Sequence, residues 1–554
     1  MRSQARYWDD GEEAEEELSG SGSGSEEDDD DDEEDPNGTN DASTVVGSVG
    51  AWPQSYKQSM DMYSSLQSPR ISLFSPSLHR RFSSSFLGSS YQRLPSDRST
   101  TGTQPLGIPF LQDKDRQDEH GLPYSDLAWR LENQSVKTES VYELSEYHGI
   151  KPQGSSLLQG LFNGMNVLAG VGILTTPFAL KEAGWIGMLY LILLSIICFF
   201  TGILLRRCLE SGPGLATYPD IGQAAFGYTG RIIISIILYT ELYACCVEFL
   251  ILEGDNLSSL FPGAHLSIAG LHLEGKSMFS LLTAIFVLPT VWLRDLSYLA
   301  YVSAGGVVAS FVVGISVFWV GAVDGVGFHE TGPLFKLSSL PVSIGLYGFC
   351  YSGHAVFPNI YSSLRNRNAY NKVLGISFIL CTLLYSGMAV MGFTMFGEDT
   401  ASQITLNLPK QFLASNIAVW TTVVNPFTKF ALSMTPVALS LEELLPHNPD
   451  SMKHRSSSIL IRTALVISTI GVALLVPFFG FVMAFIGSFL SMNVSLILPC
   501  ACYLAIFGKK LPAYQVILCA MVILVGFICL VLGSYSSLSS IVASYSRPNK
   551  LNLL

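Results

Sequence analysis

From residue 155 onward, apolar residues do not alternate with polar ones; they run in long blocks. Eleven stretches approach the ~20 residues that a membrane-crossing helix needs. They cover 156–180, 184–205, 231–253, 277–293, 298–322, 340–361, 371–396, 412–437, 459–477, 480–506 and 512–535. The fourth is short and the join between the ninth and tenth is tight, so ten or twelve spans also fit the pattern. Upstream the pattern inverts. Glu26 to Asp35 is wholly acidic, 64–104 is rich in Ser, Arg and Pro, and no apolar run exceeds a few residues. Such a segment cannot bury enough surface to offset its chain entropy. The expectation is an all-α integral membrane protein with a disordered tail over 1–150, a helical domain over 151–540 and a short tail over 541–554.

Composition sharpens this picture. Charged residues make up 14% of the chain, well below the roughly 25% usual for soluble proteins. Of the acids and bases, 29 and 12 fall in 1–150, leaving 16 and 20 for the rest. The acidity therefore belongs to the tail, and the slightly basic body offers nothing to nucleic acid. Residues 9–35 are the opposite of a basic region followed by an apolar one, so the first apolar stretch is expected to act as the targeting signal. With the N-terminus inside, the short inner loops hold twelve Lys and Arg and the outer loops four. That bias places the tail in the cytosol and, with eleven spans, Leu554 on the far side. Ser68-Pro69 and Arg80-Arg81-Phe82-Ser83 suit a kinase, so the tail reads either as a solubilising segment or as a regulated one.

Two stretches are interrupted in the same way. The first reads Asn163-Gly-Met-Asn-Val-Leu-Ala-Gly-Val-Gly-Ile-Leu-Thr-Thr-Pro177, and the sixth reads Gly348-Phe-Cys-Tyr-Ser-Gly-His-Ala-Val-Phe-Pro358. Each carries Gly-x4-Pro, Gly172 to Pro177 and Gly353 to Pro358. Glycine costs a helix roughly 1 kcal/mol and proline removes a hydrogen bond. Naked backbone in lipid is expensive, so unwinding is tolerated where it lines a protein cavity. A matched pair of breaks, five stretches apart, points to an inverted-repeat transporter of stretches 1–5 and 6–10, with the eleventh peripheral. The amides of Gly170, Val171 and Gly172 suit an α-carboxylate. The carbonyls near Cys350, Tyr351 and Ser352, just before Gly353, suit an α-ammonium. Glycines at such spacing also serve helix packing; the repetition of the motif favours a site.

These residues resemble the amino acid/auxin permease family, in particular its plant vacuolar amino acid transporter branch of the Avt type. The resemblance spans about 150–540. It is carried by Asn166-Val-Leu-Ala-Gly-Val-Gly-Ile-Leu-Thr-Thr-Pro-Phe-Ala179, Tyr218-Pro-Asp-Ile-Gly-Gln-Ala-Ala-Phe-Gly227, Gly353-His-Ala-Val-Phe-Pro-Asn359 and Asn425-Pro-Phe-Thr-Lys-Phe-Ala431. It implies a leucine-transporter-like fold of eleven helices, amino acid substrates, protons rather than sodium, and the vacuolar membrane, with the plasma membrane as the other location. The first-helix motif carries over to Asn166 and Gly170 through Gly172. Related sodium-coupled members hold the ion with such an Asn and a hydroxyl on the eighth helix, which here implies Ser433 or Thr435.

Ionisable groups inside membrane helices are expensive and mark candidates for coupling. Glu241 and Glu248 lie seven residues apart on one face of the third stretch. They read either as carboxyls lining a wet crevice or as proton carriers. Lys429 in the eighth stretch reads as a fixed cation where relatives hold sodium, or as a partner for a glutamate. His354 sits within the second break, and histidine changes charge between about pH 5 and 8; it reads as a proton carrier or as a hydrogen-bonded neighbour. Glu253 and Asp255, at the outer end of the third stretch, are expected to be solvated.

The ten cysteines form no CxxC and no cluster with metal spacing, so buried thiols are expected, with no cofactor and no metal. No nucleophile–base set or phosphate loop supports an enzyme, and no polar filter ring supports a channel. The expectation is a secondary active transporter, symporter or antiporter, moving amino acids with protons by alternating access through a bilayer. The alternative is an amino acid sensor of the same fold that signals through its tail.

Overall fold

The computed structural model describes residues 154–546, apart from 269–270, 294–296, 330–331 and 446–451, together with Trp52, Pro53, Ser55 to Lys57, Ser59 and Met60. The acidic run and both phosphorylation motifs lie outside the described residues. All eleven apolar stretches fall on helix. The first is split into α1 (Leu157–Leu168), a 3₁₀ turn (Val171–Thr175) and α2 (Thr176–Ala183). Then come α3 (Ile186–Leu209), α4 (Tyr218–Leu260), α5 (Gly275–Trp292) and α6 (Ser297–Ala322). The sixth stretch is split into α7 (Leu340–Cys350) and α8 (Phe357–Ser363). It is followed by α9 (Tyr370–Phe396), α10 (Leu413–Glu442) and α11 (Met452–Leu475). The tenth runs through α12 (Phe479–Ile486), two widened turns and α13 (Leu498–Phe507), and α14 (Ala513–Tyr545) closes the chain. Its end lies five residues inside the expected C-terminal tail.

Among the described residues, eight helices are long and apolar enough to cross a membrane on their own. The pair around the first break, bent by 46°, makes a ninth. The α7–α8 stretch is too interrupted to count by length. The 30-residue α10 carries Lys429, Pro426 and Pro436 in its interior, which lowers its apolar character. Between α4 and α5, a small hairpin pairs Leu266–Ile268 antiparallel to Leu271–Leu273.

Local sequence sets the entry to α4. Thr217 caps the helix in a reciprocal box with Asp220, satisfying two amides that the first turn leaves free. Gly227 interrupts α4 at φ 68°, a left-handed conformation that glycine adopts without penalty. The resulting elbow is fixed by Arg231, which pairs with Asp220 at 2.8 Å.

α10 packs most closely on α6 and α4, and α9 packs along α1 and α2. The chain segments flanking the two breaks are tied directly. Ser155 donates to the Ser363 carbonyl at 2.8 Å, and Arg365 donates back to the Ser155 carbonyl at 3.0 Å. A further tie is ionic. Arg462 of α11 is 3% exposed, pairs with Glu442 of α10 at 2.6 Å and donates to the Val291 carbonyl of α5 at 2.7 Å.

Candidate functional site

Both breaks arise from the same local chemistry. α1 stops at Leu168 ahead of Gly170 and Gly172, and Pro177 restarts the helix as the second residue of α2. α7 stops at Cys350, Gly353 lies in the unwound piece, and Pro358 is the second residue of α8. Proline is tolerated at that position because its missing amide would have had no partner there.

The breaks meet each other. A Cβ built on Gly172 would lie 2.9 Å from the Cys350 Sγ and 3.2 Å from its Cα, closer than side chains pack. The Cys350 thiol donates to the Gly172 carbonyl at 3.5 Å.

Carbonyls that the breaks release must find donors, since none can be left bare at this depth. The Leu168 carbonyl accepts from the Gly170 amide at 2.7 Å and from the Tyr385 hydroxyl. That hydroxyl is also 3.1 Å from the Cys350 carbonyl, so one phenol braces both breaks. Ser310 of α6 serves the Ala169 carbonyl at 3.0 Å. The Phe349 and Tyr351 carbonyls accept from the amides of Ser352 and Gly353, each at 3.0 Å. The Ala355 carbonyl accepts from Tyr56, far upstream in the sequence, at 3.1 Å.

A cavity of about 80 Å³ opens where the breaks meet, several times the space one water needs. Leu168, Gly170, Val171 and Gly172 line it from the first break, and Cys350, Ser352 and Ala355 from the second. α4 adds Glu241, Cys245 and Phe249, and α10 adds Lys429. Glu241 Oε1 accepts from the Ser352 hydroxyl at 2.5 Å and from the Ser491 hydroxyl at 2.8 Å. Lys429 Nζ points to the Asn166 carbonyl at 3.4 Å. A carboxyl and an ammonium thus line one cavity with the ends of two broken helices.

A family model described as "Transmembrane amino acid transporter protein" matches residues 153–543. The chain belongs to this transmembrane amino acid transporter family. The match takes in both breaks, the cavity and every helix through α13, and it agrees with the reading that the chain is no enzyme. Among curated proteins, the chain is 53% identical over 492 residues to the amino acid transporter AVT1B of Arabidopsis thaliana, covering 89% of each chain. It is also 53% identical over 495 residues to AVT1C of the same plant, covering 89% of this chain and 90% of the relative. The amino acid transporter ANT1, also from Arabidopsis thaliana, is 29% identical over 408 residues, 69% of this chain and 92% of the relative.

Within this transporter the candidate residues separate into groups. Gly170, Val171, Gly172, Cys350, Ser352, Glu241 and Lys429 reach the cavity. The Gly170 amide is already given to Leu168, so Val171 and Gly172, the first residues of the 3₁₀ turn, are where a helix leaves its amides unpaired. Tyr351 turns away: its hydroxyl pairs with Thr382 at 2.9 Å and its ring stacks on Phe378. Gly353 packs beside Phe357 and Leu168. Asn166 is buried, with its side-chain oxygen unpartnered. His354 is fully buried against α3, 2.9 Å from the Thr201 hydroxyl and 3.1 Å from the Cys198 carbonyl. Glu248 is fully buried, and neither of its oxygens has a hydrogen-bond partner. The Thr435 hydroxyl is spent on the Ala431 carbonyl of its own helix, while that of Ser433 has no partner.

Glu253 and Asp255 depart from expectation. They are 0% and 7% exposed rather than solvated. Asp255 is held by Lys276 at 3.2 Å and Gln403 at 3.0 Å. Sequence reasoning also missed Ser491, Phe249 and Tyr385. Ser491 and Phe249 are ordinary residues of apolar helices, and only the packing brings Ser491 to Glu241 and Phe249 to the cavity. Tyr385 carried a signal in retrospect, a phenol in the middle of a membrane span that needs a partner.

Proposed function

We propose that the chain is a secondary active transporter that carries amino acids across a membrane, coupled to protons by alternating access. The observation that carries this reading is the single cavity shared by both helix breaks, Glu241 and Lys429. The amides of Val171 and Gly172, at the positive end of a helical run, take the α-carboxylate, with Lys429 lining the same cavity. The carbonyl end of α7 at Cys350, Tyr351 and Ser352 takes the α-ammonium. Glu241 carries the proton, being the candidate carboxyl that lines the cavity. Its bond to Ser352 joins proton occupancy to the second break. Glu248, one face-repeat along α4, is the further proton candidate, and His354 orders the unwound segment between α7 and α8.

Lys429 against the Asn166 carbonyl sets a fixed positive charge beside the residue implied in ion binding. Cation repulsion there favours protons over sodium, which leaves Ser433 and Thr435 without an ion to hold. In this reading the two interrupted stretches and α10 also span. That gives eleven spans arranged as a five-plus-five inverted repeat, with the N-terminus cytosolic and the C-terminus lumenal at the vacuolar membrane. Relatives whose names call them amino acid transporters support the substrate class. Uptake of a labelled amino acid panel into proteoliposomes, with and without an imposed pH gradient, tests it. Accumulation that rises with the gradient is expected; uptake indifferent to the gradient removes the proton.

A further inference from the structure

A short piece of the N-terminal region is built into the molecule. Trp52, Tyr56 and Met60 recur at intervals of four, the spacing of one helix face. Tyr56 is 1% exposed and Met60 fully buried. A segment this short does not hold structure alone; its order comes from what it touches. The Trp52 indole donates to the Ser440 carbonyl near the end of α10 at 2.8 Å. Arg231, at the elbow of α4, donates to the carbonyls of Trp52 at 3.1 Å and Pro53 at 3.0 Å. The Ser55 amide donates to Glu443, just beyond α10. Both aromatic rings pack on Tyr239 with centroids 5.8 Å apart.

The contact that gives this seat its meaning is the hydroxyl of Tyr56. It satisfies the carbonyl of Ala355, a residue of the second break that also lines the cavity. Tyr239, against which the segment packs, lies two residues before Glu241 on α4. The segment therefore backs the cavity's wall at Ala355. It does so by binding α4, α10 and the α7–α8 break at once, elements that alternating access has to move against one another.

We infer that this surface is a binding site for the chain's own Trp52–Met60 segment, which plugs the tail-side mouth of the transport path. The seat exists only while the three elements are together, so docking stabilises the state closed on that side. Leaving the seat deprives the Ala355 carbonyl of its donor until the substrate path opens to water. The inference rests on the transport reading above, and its test has a readout that does not depend on transport.

The experiment compares the full chain with W52A/Y56A in proteoliposomes, substitutions that leave every membrane helix intact. Removing the plugged population should raise the initial rate of labelled amino acid flux from the tail side about tenfold. A fluorescent synthetic peptide covering residues 49–60 should bind W52A/Y56A saturably and return its flux to the level of the unaltered chain. In a second arm, S55C/E443C is oxidised to fix the segment in its seat. Flux should stop and should recover on reduction, with the unaltered chain controlling for native thiols. Absence of saturable peptide binding overturns the site, whatever the transport result. Equal flux in W52A/Y56A and the unaltered chain, or undiminished flux in the cross-linked form, overturns the plug. Failure of every form to move amino acids while the peptide still binds instead overturns the transport reading.

Discussion

Gly172 and Cys350 occupy each other's space. A Cβ on Gly172 would fall 2.9 Å from the Cys350 sulfur, and that sulfur donates to the Gly172 carbonyl. Two helix breaks, far apart in sequence, are thereby locked at one point, and the cavity between them depends on glycine there. Gly172→Ala is expected to lower labelled uptake by at least about tenfold, with Cys350→Ala restoring part of the loss in the double variant, as coupled neighbours do. Uptake normalised to protein amount checks this. Independent, additive losses would mean that the two residues do not share a site.

The hydroxyl of Tyr385 serves carbonyls from both breaks, Leu168 and Cys350. Tyr385→Phe keeps the ring and removes the donor. Leaving a buried acceptor unsatisfied costs about 1–3 kcal/mol. A lower Tm for the purified chain in detergent and slower uptake are expected together. An unchanged Tm would show that the breaks satisfy their backbone without this phenol.

Glu241→Gln keeps an oxygen for the Ser352 and Ser491 hydroxyls but cannot exchange a proton. The expected outcome is a carrier that still exchanges internal for external amino acid and no longer accumulates it when a pH gradient is imposed. Accumulation equal to that of the unaltered chain would move the proton to another group, Glu248 first.

Arg462 joins α11 to α10 and α5 through Glu442 and the Val291 carbonyl, almost wholly buried. Removing one member of a buried pair costs about 3–5 kcal/mol because its partner is left uncompensated. Arg462→Ala should therefore reduce the amount of folded protein recovered in detergent far more than Lys336→Ala, whose partner Glu398 is half exposed. Size-exclusion profiles of the two variants make the comparison.

What the sequence made legible is local. The breaks were readable because glycine and proline act on their own helical turn, whatever surrounds them. The apolar stretches were readable because lipid imposes their length. Glu241 and Lys429 stood out because a charge inside an apolar run is costly. What packing decides was hidden. Glu253 and Asp255 looked like a solvated helix end, yet Asp255 is covered by Lys276 and Gln403 from other parts of the chain. Tyr351 and His354 sit beside cavity residues in sequence but point to α9 and α3, since a distorted backbone no longer obeys helical facing. Three apolar residues at spacing four, within a long acidic and serine-rich region, gave no average signal, and their seat is formed by three separate elements.

In the proposed function the substrate sits where the breaks meet. Equilibrium binding of a labelled amino acid to the purified chain reads this without requiring coupling or turnover. Saturable binding by the unaltered chain and its loss in Gly172→Val, with the variant still monodisperse in detergent, is the predicted result. Equal binding by the two proteins would contradict it.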